Sequence, residues 1–399
     1  MNRREFLKAL GAIPLVFLAP SWLQRSWAAA NGADRSNREA WQRTLLLLEL
    51  HGGNDGLNTV IPYGDPRYYQ VRPRLAIPRE QVKQLTPELG LHPALEPLMP
   101  LWEAKELAVV AGVGYDSPNR SHFRSIEIWE TGSDSEQTLD EGWLARLFAR
   151  HPLPESFTAE GIVLGRGEAG PLAGGHSRIV TLQDPAQFLR QAELVRPVDR
   201  LTTNRALAHI LEVQREIARA SGDLERRLKQ AAPFSAPFPA TRIGKQLEIA
   251  ATLMSARVPA AVIKVTHGSF DTHAGQLNQH QRLLQELAEA LTAFRASLLQ
   301  EGLWDRLLVM TYSEFGRRVA ENGSQGTDHG TAAPHFFMGG RVKGGLYGSQ
   351  PPLADLQAGD LRHRVDYRSL YNTVIQDWWG LRSNLFGGSA FPPINCLGS

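Results

Sequence analysis

The chain has 399 residues, with 43 Lys and Arg against 41 Asp and Glu, a formal net charge of +2. Residues 1–30 hold four of the basic residues and one acidic one, so the rest carries a net charge of about −1, which gives no basis for nucleic acid or an anionic membrane as a partner. A single cysteine, Cys396, excludes an internal disulfide and argues against a structural zinc–thiolate site, leaving stability to the core.

The N-terminus reads as an address. Met1 to Lys8 (MNRREFLK) hold the pair Arg3-Arg4, Ala9 to Pro20 are apolar but too short for a stable span, and Ala28 to Ala30 offer a small-residue cleavage site. The arginine pair predicts the twin-arginine export machinery as a partner, and the periplasm or the extracellular space as the destination. No later run is long and apolar enough to cross a membrane, so the mature chain, 31–399, is expected as a single domain without a stable membrane span.

After a polar linker, Thr44 to Leu50 (TLLLLEL) is a nearly continuous apolar run, as expected of a central parallel strand covered on both faces. It ends in His51-Gly52-Gly53-Asn54-Asp55-Gly56, where glycines let the Asp55 carboxylate turn inward. Leu91 to Lys105 is helical in part, interrupted by Pro93, Pro97 and Pro100. A second strand, Leu107 to Val110, leads to a loop with Ser121, His122 and Arg124 before a helical pattern containing Ile126 and Trp129. A hydroxyl at a helix N-terminus suits an anionic group, and Ser121 could equally be a plain cap. Gly142 to Ala149 is a helix, and Ile162 to Leu164 and Arg178 to Leu182 are short strands. The glycine-rich stretch between those strands lacks the spacing of a phosphate-binding P-loop. Residues 185–240 are helical cover or an insertion, and Ile243 to Met254 is a helix against the sheet.

The third clear strand, Ala261 to Val265, precedes THGSFDTHAGQ, with His267, Asp271 and His273. His280 to Leu299 is a long amphipathic helix, and Leu307 to Met310 is the fourth strand. It spills directly into Tyr312, Ser313 and Glu314, then a glycine-rich loop with Asp328 and His329, then the apolar run Phe336 to Met338. Four histidines, His267, His273, His329 and His335, sit in strand-end loops without an apolar helical face, and so are not expected in the core. The surrounding Arg317 and Arg318 could be surface residues. Tyr367 to Trp379 is a last helix. In a doubly wound sheet the C-terminal loops share one edge, so these groups can meet there. Their carboxylates and imidazoles suffice for one or two divalent ions, with Zn²⁺, Mn²⁺, Mg²⁺ and Ca²⁺ all open.

The motifs LLLLELHGGNDGLNTVIPYGD, GVGYDSPNRSHFRSIEIWETG, SFDTHAGQ and SEFGRR…GTDHGTAAPHFFMGG, in that order, resemble a bacterial exported family catalogued as "domain of unknown function 1501". That family in turn resembles the alkaline phosphatase and sulfatase superfamily. The resemblance implies an α/β fold, a three-layer α/β/α sandwich with a mostly parallel central sheet. It places Asp55 as an early metal ligand, Ser121 near the nucleophile, and Asp271 with His273 as a ligand pair. Glu314 stands where the superfamily has an Asp, while Asp328 and His329 could supply the remaining ligands. The activity expected is metal-dependent hydrolysis of phosphate or sulfate esters, with Ser121 attacking beside His122, and Arg124 or Arg120 holding an anionic ester or polysaccharide. The alternative is an exported protein that keeps the fold and binds a partner without catalysis.

Overall fold

The computed structural model describes residues 41–398 except 158, 166, 175–177, 185–188, 191–210, 212–220 and 230–233. The expected export segment and most of the expected helical cover at 185–240 lie outside the described residues. Strand β1 (Thr44–His51) shows why the molecule is layered. Side chains alternate across a pleat, and here both sets are apolar. Leu46, Leu48 and Leu50 enter one core, and Leu45 and Leu47 enter a second on the opposite side. A strand apolar on both faces needs cover on both. Each fully buried leucine contributes ~1.5–3 kcal/mol.

The other main strands are β2 (Leu107–Gly114), β3 (Ala159–Leu164), β4 (Ile179–Leu182), β5 (Ala260–Gly268), β6 (Leu307–Tyr312), β7 (Ala333–Met338) and β8 (Gly345–Gly348). They lie in the order β8-β2-β7-β6-β1-β5-β3-β4, and the short strand Val365–Asp366 also pairs with β2. Every pairing is parallel except those of β7, which runs antiparallel to both β2 and β6. The fold is therefore α/β with a mixed, mostly parallel sheet.

Helices α1 (His122–Thr131), α2 (Trp143–Arg150) and α5 (Tyr367–Asn372) cover the Leu45 face. Helices α3 (Arg242–Ser255) and α4 (Gln276–Gln300) cover the Leu46 face. On α4 the stripe Leu283, Leu287, Leu291, Phe294 and Leu298 recurs every three or four residues and is buried throughout. Helix α1 stops at Gly132, whose φ of 69° is left-handed and whose N–H caps the Ile128 carbonyl. Among the described residues no helix is long and apolar enough to cross a membrane.

Three expectations change in detail. The proline-broken segment at 91–105 forms a 3₁₀ helix, Pro93–Leu98, followed by a short α-helix, Met99–Glu103, because each proline removes an N–H from the ladder. The C-terminal aromatic segment passes from α5 into a π-helical turn, Thr373–Trp378. Two of the four singled-out histidines are core residues after all: His267 ends in a hydrogen bond from its ring to Leu283 O at 2.9 Å, and His335 lies in β7 against Trp129. Both sit on the strands themselves, where alternation buries them, rather than in the loops beyond.

Burial lowers His335 to a pKa of about 3 from the usual 6.5. Between those values the unfolded chain binds a proton at this residue and the folded chain does not, so stability rises with pH across the window and falls as pH drops. Replacing His335 by Phe is expected to remove up to about 1.4 kcal/mol per pH unit of that slope. Denaturant unfolding at about pH 4, 5 and 6 measures it; an unchanged slope would assign the acid sensitivity elsewhere.

Candidate metal centre

The C-terminal ends of β1, β2, β5 and β6 share one edge of the sheet. Because β7 is antiparallel, it starts at that edge, so the Ser313 to Ala332 span leaves the edge and returns to it. The loops are drawn close. Gly52 has φ 110°, and a Cβ there would lie 2.6 Å from Asp271 N, so only glycine admits this approach.

Asp271 Oδ1 is the meeting point. His273 Nε2 lies 3.0 Å from it, His329 Nε2 3.2 Å and His122 Nε2 3.4 Å. His122, Asp271 and His329 offer ligand atoms all within 4.8 Å of one another. His273 Nε2 is 2.9 Å from His329 Nε2. Ligands ~2.0–2.1 Å from a tetrahedral ion are separated by about 3.3 Å, close to the spacings around Asp271 Oδ1. His122 Nε2 is buried and makes no hydrogen bond, despite its approach to Asp271.

Each ring is held from behind by its other nitrogen. His122 Nδ1 lies 2.7 Å from Glu314 Oε1, His273 Nδ1 3.2 Å from Asp328 Oδ1, and His329 Nδ1 2.8 Å from the Arg120 carbonyl. All three partners are acceptors for Nδ1, so each ring is oriented with Nε2 toward the centre, where the Asp271 carboxylate is a further acceptor. Glu314 is fully buried and also accepts from Gly52 N at 3.0 Å. The Glu314 hydrogen bond pushes His122 above the ordinary histidine pKa, while burial pulls His329 below it.

Arg317 is buried rather than exposed. It donates to Gly53 O at 2.6 Å, Thr327 O at 2.9 Å, Phe270 O at 3.1 Å and Gly52 O, and to Asp271 Oδ1 at 2.7 Å. Partial burial works to raise the Asp271 pKa, but the guanidinium overrides it and holds the carboxyl at about 2.

The expected site residues thus separate. Asp271, His273, His329 and His122 face the centre, with Glu314 and Asp328 behind the rings. Asp55 lies elsewhere: fully buried, it pairs with Arg72 at 2.6 Å and accepts from Leu57 N and Gln276 Nε2. Gln276 in turn accepts from Thr272 and Thr327, so Asp55 supports the loops from below. Ser121 is the N-cap of α1 but makes no capping bond through its hydroxyl. Arg124 donates to the Ser135 and Gln137 carbonyls and pairs with Glu127 at 2.8 Å, while the Arg120 guanidinium pairs with buried Asp360. The adjacency of Arg317 to Phe315 and Gly316 offered no cue to its burial; only the convergence of carbonyls from distant loops creates it.

The chain belongs to the family described as "Protein of unknown function (DUF1501)", whose profile matches residues 42–384. No curated protein matches it. Similar solved structures include the lipoteichoic acid synthase LtaP from Listeria monocytogenes, at 11% identity and TM-score 0.41, covering 90% of this chain and 76% of that one. The C-terminal periplasmic domain of EcEptC from Escherichia coli has 9% identity and TM-score 0.39, covering 86% and 83%. A protein in the alkaline phosphatase superfamily from Vibrio parahaemolyticus has 13% identity and TM-score 0.38, covering 96% and 76%. Likenesses this distant say nothing about activity.

The Arg317 guanidinium supplies a test of how the loops are held. A lysine keeps the charge but not the planar fork. Arg317→Lys is expected to cost about 3 kcal/mol or more, because several buried carbonyls and Asp271 lose their donor together. Denaturant unfolding measures this, and a loss below ~1 kcal/mol would remove Arg317 from its structural role.

Proposed function

We propose that this DUF1501 protein is an exported, metal-dependent hydrolase of phosphate or sulfate esters. The observation that carries the metal reading is the pair of imidazole nitrogens 2.9 Å apart, His273 Nε2 and His329 Nε2. Both rings have acceptors at Nδ1, so with both rings neutral the Nε2 atoms present lone pairs to each other. Two such nitrogens at that distance call for a cation between them, and with the Asp271 carboxylate and His122 beside them we assign a metal ion rather than a shared proton. Asp271 Oδ1, His122 Nε2 and His329 Nε2 form one group within 4.8 Å, two nitrogens and one oxygen, with His273 beside it. That set favours Zn²⁺, or another ion that accepts imidazole, over Mg²⁺ and Ca²⁺, which prefer oxygen.

A bound divalent ion would polarise the ester and offset charge developing on its oxygens. The chain's own residues do the rest. Asp271 is oriented by Arg317, and Glu314 and Asp328 fix the tautomers of His122 and His273. Ser121 is the candidate nucleophile: its hydroxyl is free of the helix cap, and its neighbours are Arg120, which holds His329, and His122 itself. In-line attack by Ser121 Oγ on phosphorus or sulfur would form a covalent ester that water then cleaves. Export through the twin-arginine route, read from Arg3 and Arg4, would deliver the folded protein to the periplasm or beyond.

Chelation is expected to lower the melting temperature, and Zn²⁺ or Mn²⁺ to restore it. Asp271→Asn or His329→Ala should abolish that metal-dependent gain. Ser121→Ala should cut kcat on phosphate or sulfate monoesters about 10³-fold or more with metal content unchanged. Metal content measured by mass spectrometry beside turnover separates the claims. A protein that takes up no ion would overturn the metal reading, and a fully active Ser121→Ala would remove the serine from it.

A further inference from the structure

Beside the centre the same cleft holds an imidazole that the hydrolase reading leaves unused. His51 ends β1, with its side chain 54% exposed, and lines the cleft with Gly52, His122, Phe123 and Asp271. Its ring is oriented from within. Nδ1 lies 3.0 Å from Glu49 Oε1, two residues earlier on the same face of the strand. Glu49 is buried, and its other oxygen accepts from Lys264 Nζ at 2.8 Å and Thr266 Oγ1 at 3.0 Å. A carboxylate so anchored only accepts, so Nδ1 carries a proton and Nε2 is the end left to the cleft. The backbone of His51 is tied to the centre on both sides. Its carbonyl accepts from Phe270 N at 2.9 Å, next to Asp271, and the following amide, Gly52 N, donates to Glu314. The charged groups facing the ring are Glu49, Glu314 and Lys264, and the Glu49 hydrogen bond raises its proton affinity above that of an ordinary histidine.

We propose that His51 is the acid–base residue of the ester hydrolysis, with Glu49 as its positioning residue and Lys264 as the anchor of Glu49. This rests on the hydrolase reading above. As Ser121 Oγ forms its bond to phosphorus or sulfur and releases its proton to solvent, the bond to the leaving oxygen breaks. His51 Nε2–H gives its proton to that oxygen, so the alcohol departs neutral. The neutral imidazole then takes a proton from the water that attacks the serine ester, and the serine oxygen regains a proton from solvent as its bond breaks. One water is consumed and His51 returns to its starting state, with no oxidant or reductant involved.

The dependence on leaving group tests the assignment, because an alkoxide needs the proton and a nitrophenolate does not. The metal-loaded mature chain and its His51→Gln, His51→Asn and Glu49→Gln variants would be assayed on 4-nitrophenyl and on alkyl monoesters of phosphate and sulfate. Loss of about 10²–10⁴-fold in kcat on the alkyl esters, but less than roughly tenfold on the nitrophenyl esters, is expected for the His51 variants. Glu49→Gln should show the same pattern more weakly, and metal content should match wild type throughout. If Glu49→Gln fails to fold, the two variants at half-exposed His51 decide alone. Equal losses on both ester types, or none on either, would overturn the role of His51 while leaving the hydrolase reading intact. Wild-type protein inert on every ester would instead overturn that reading and this inference with it.

Discussion

The guanidinium of Arg317 bonds to backbone carbonyls from three separate loops and to the Asp271 carboxylate. Buried carbonyls without donors are costly, and a buried cation without a counter-charge is costlier. One side chain answers both demands. The β1 loop, the β5 loop and the span after β6 consequently cannot shift independently. Asp271 has a double position in this scheme, as the counter-ion of Arg317 and as the oxygen on which three imidazoles converge.

The rest of the centre follows from how those imidazoles are backed. A buried glutamate, a more exposed aspartate and a backbone carbonyl are chemically unlike, yet each accepts at Nδ1 and turns Nε2 of its histidine toward the centre. Orientation is therefore set by groups that do not face the centre, as is usual around metals. Glu49 stands in the same relation to His51, held in place by Lys264 from the neighbouring strand. Across this edge of the sheet, carboxylates mostly support imidazoles.

Much of the architecture was legible in the sequence. The run TLLLLEL identified a strand buried on both faces, and the recurrence of glycine and ionisable residues after apolar strands located the edge where they gather. Sorting those residues was beyond sequence. Asp55, Asp271, Glu314 and Asp328 all look alike as acidic residues in strand-end loops. What separates them is the partner each finds in the fold: Arg72 for Asp55, Arg317 for Asp271, His122 for Glu314 and His273 for Asp328. His267 and His335 were misplaced for a smaller reason, since a strand that runs on past its apolar stretch, as at His267, or begins before it, as at His335, carries those side chains into the core. His51 was visible in the glycine loop, but only the burial of Glu49 beside it gives the ring a fixed orientation.

The reversal of β7 has a consequence for how this surface can change over evolutionary time. The legs of the span it closes are laddered to each other: Gly316 N bonds Thr331 O at 2.7 Å, Gly330 N bonds Gly316 O at 2.9 Å, and Arg318 N bonds Asp328 O at 2.9 Å. The span is thus a hairpin clip, with Glu314 and Arg317 on one leg and Asp328 and His329 on the other. A one-residue insertion in either leg would slip the register and turn its side chains to the opposite face. The tip beyond that ladder is tied down as well: Glu321 pairs with Arg74 at 2.7 Å, Ser324 O accepts from Gly275 N at 3.1 Å, and Asn322 Nδ2 donates to His273 O at 2.9 Å. Length variation among descendants of this chain should therefore be excluded from the whole clip, legs and tip alike, leaving substitution at fixed length as the way this surface changes.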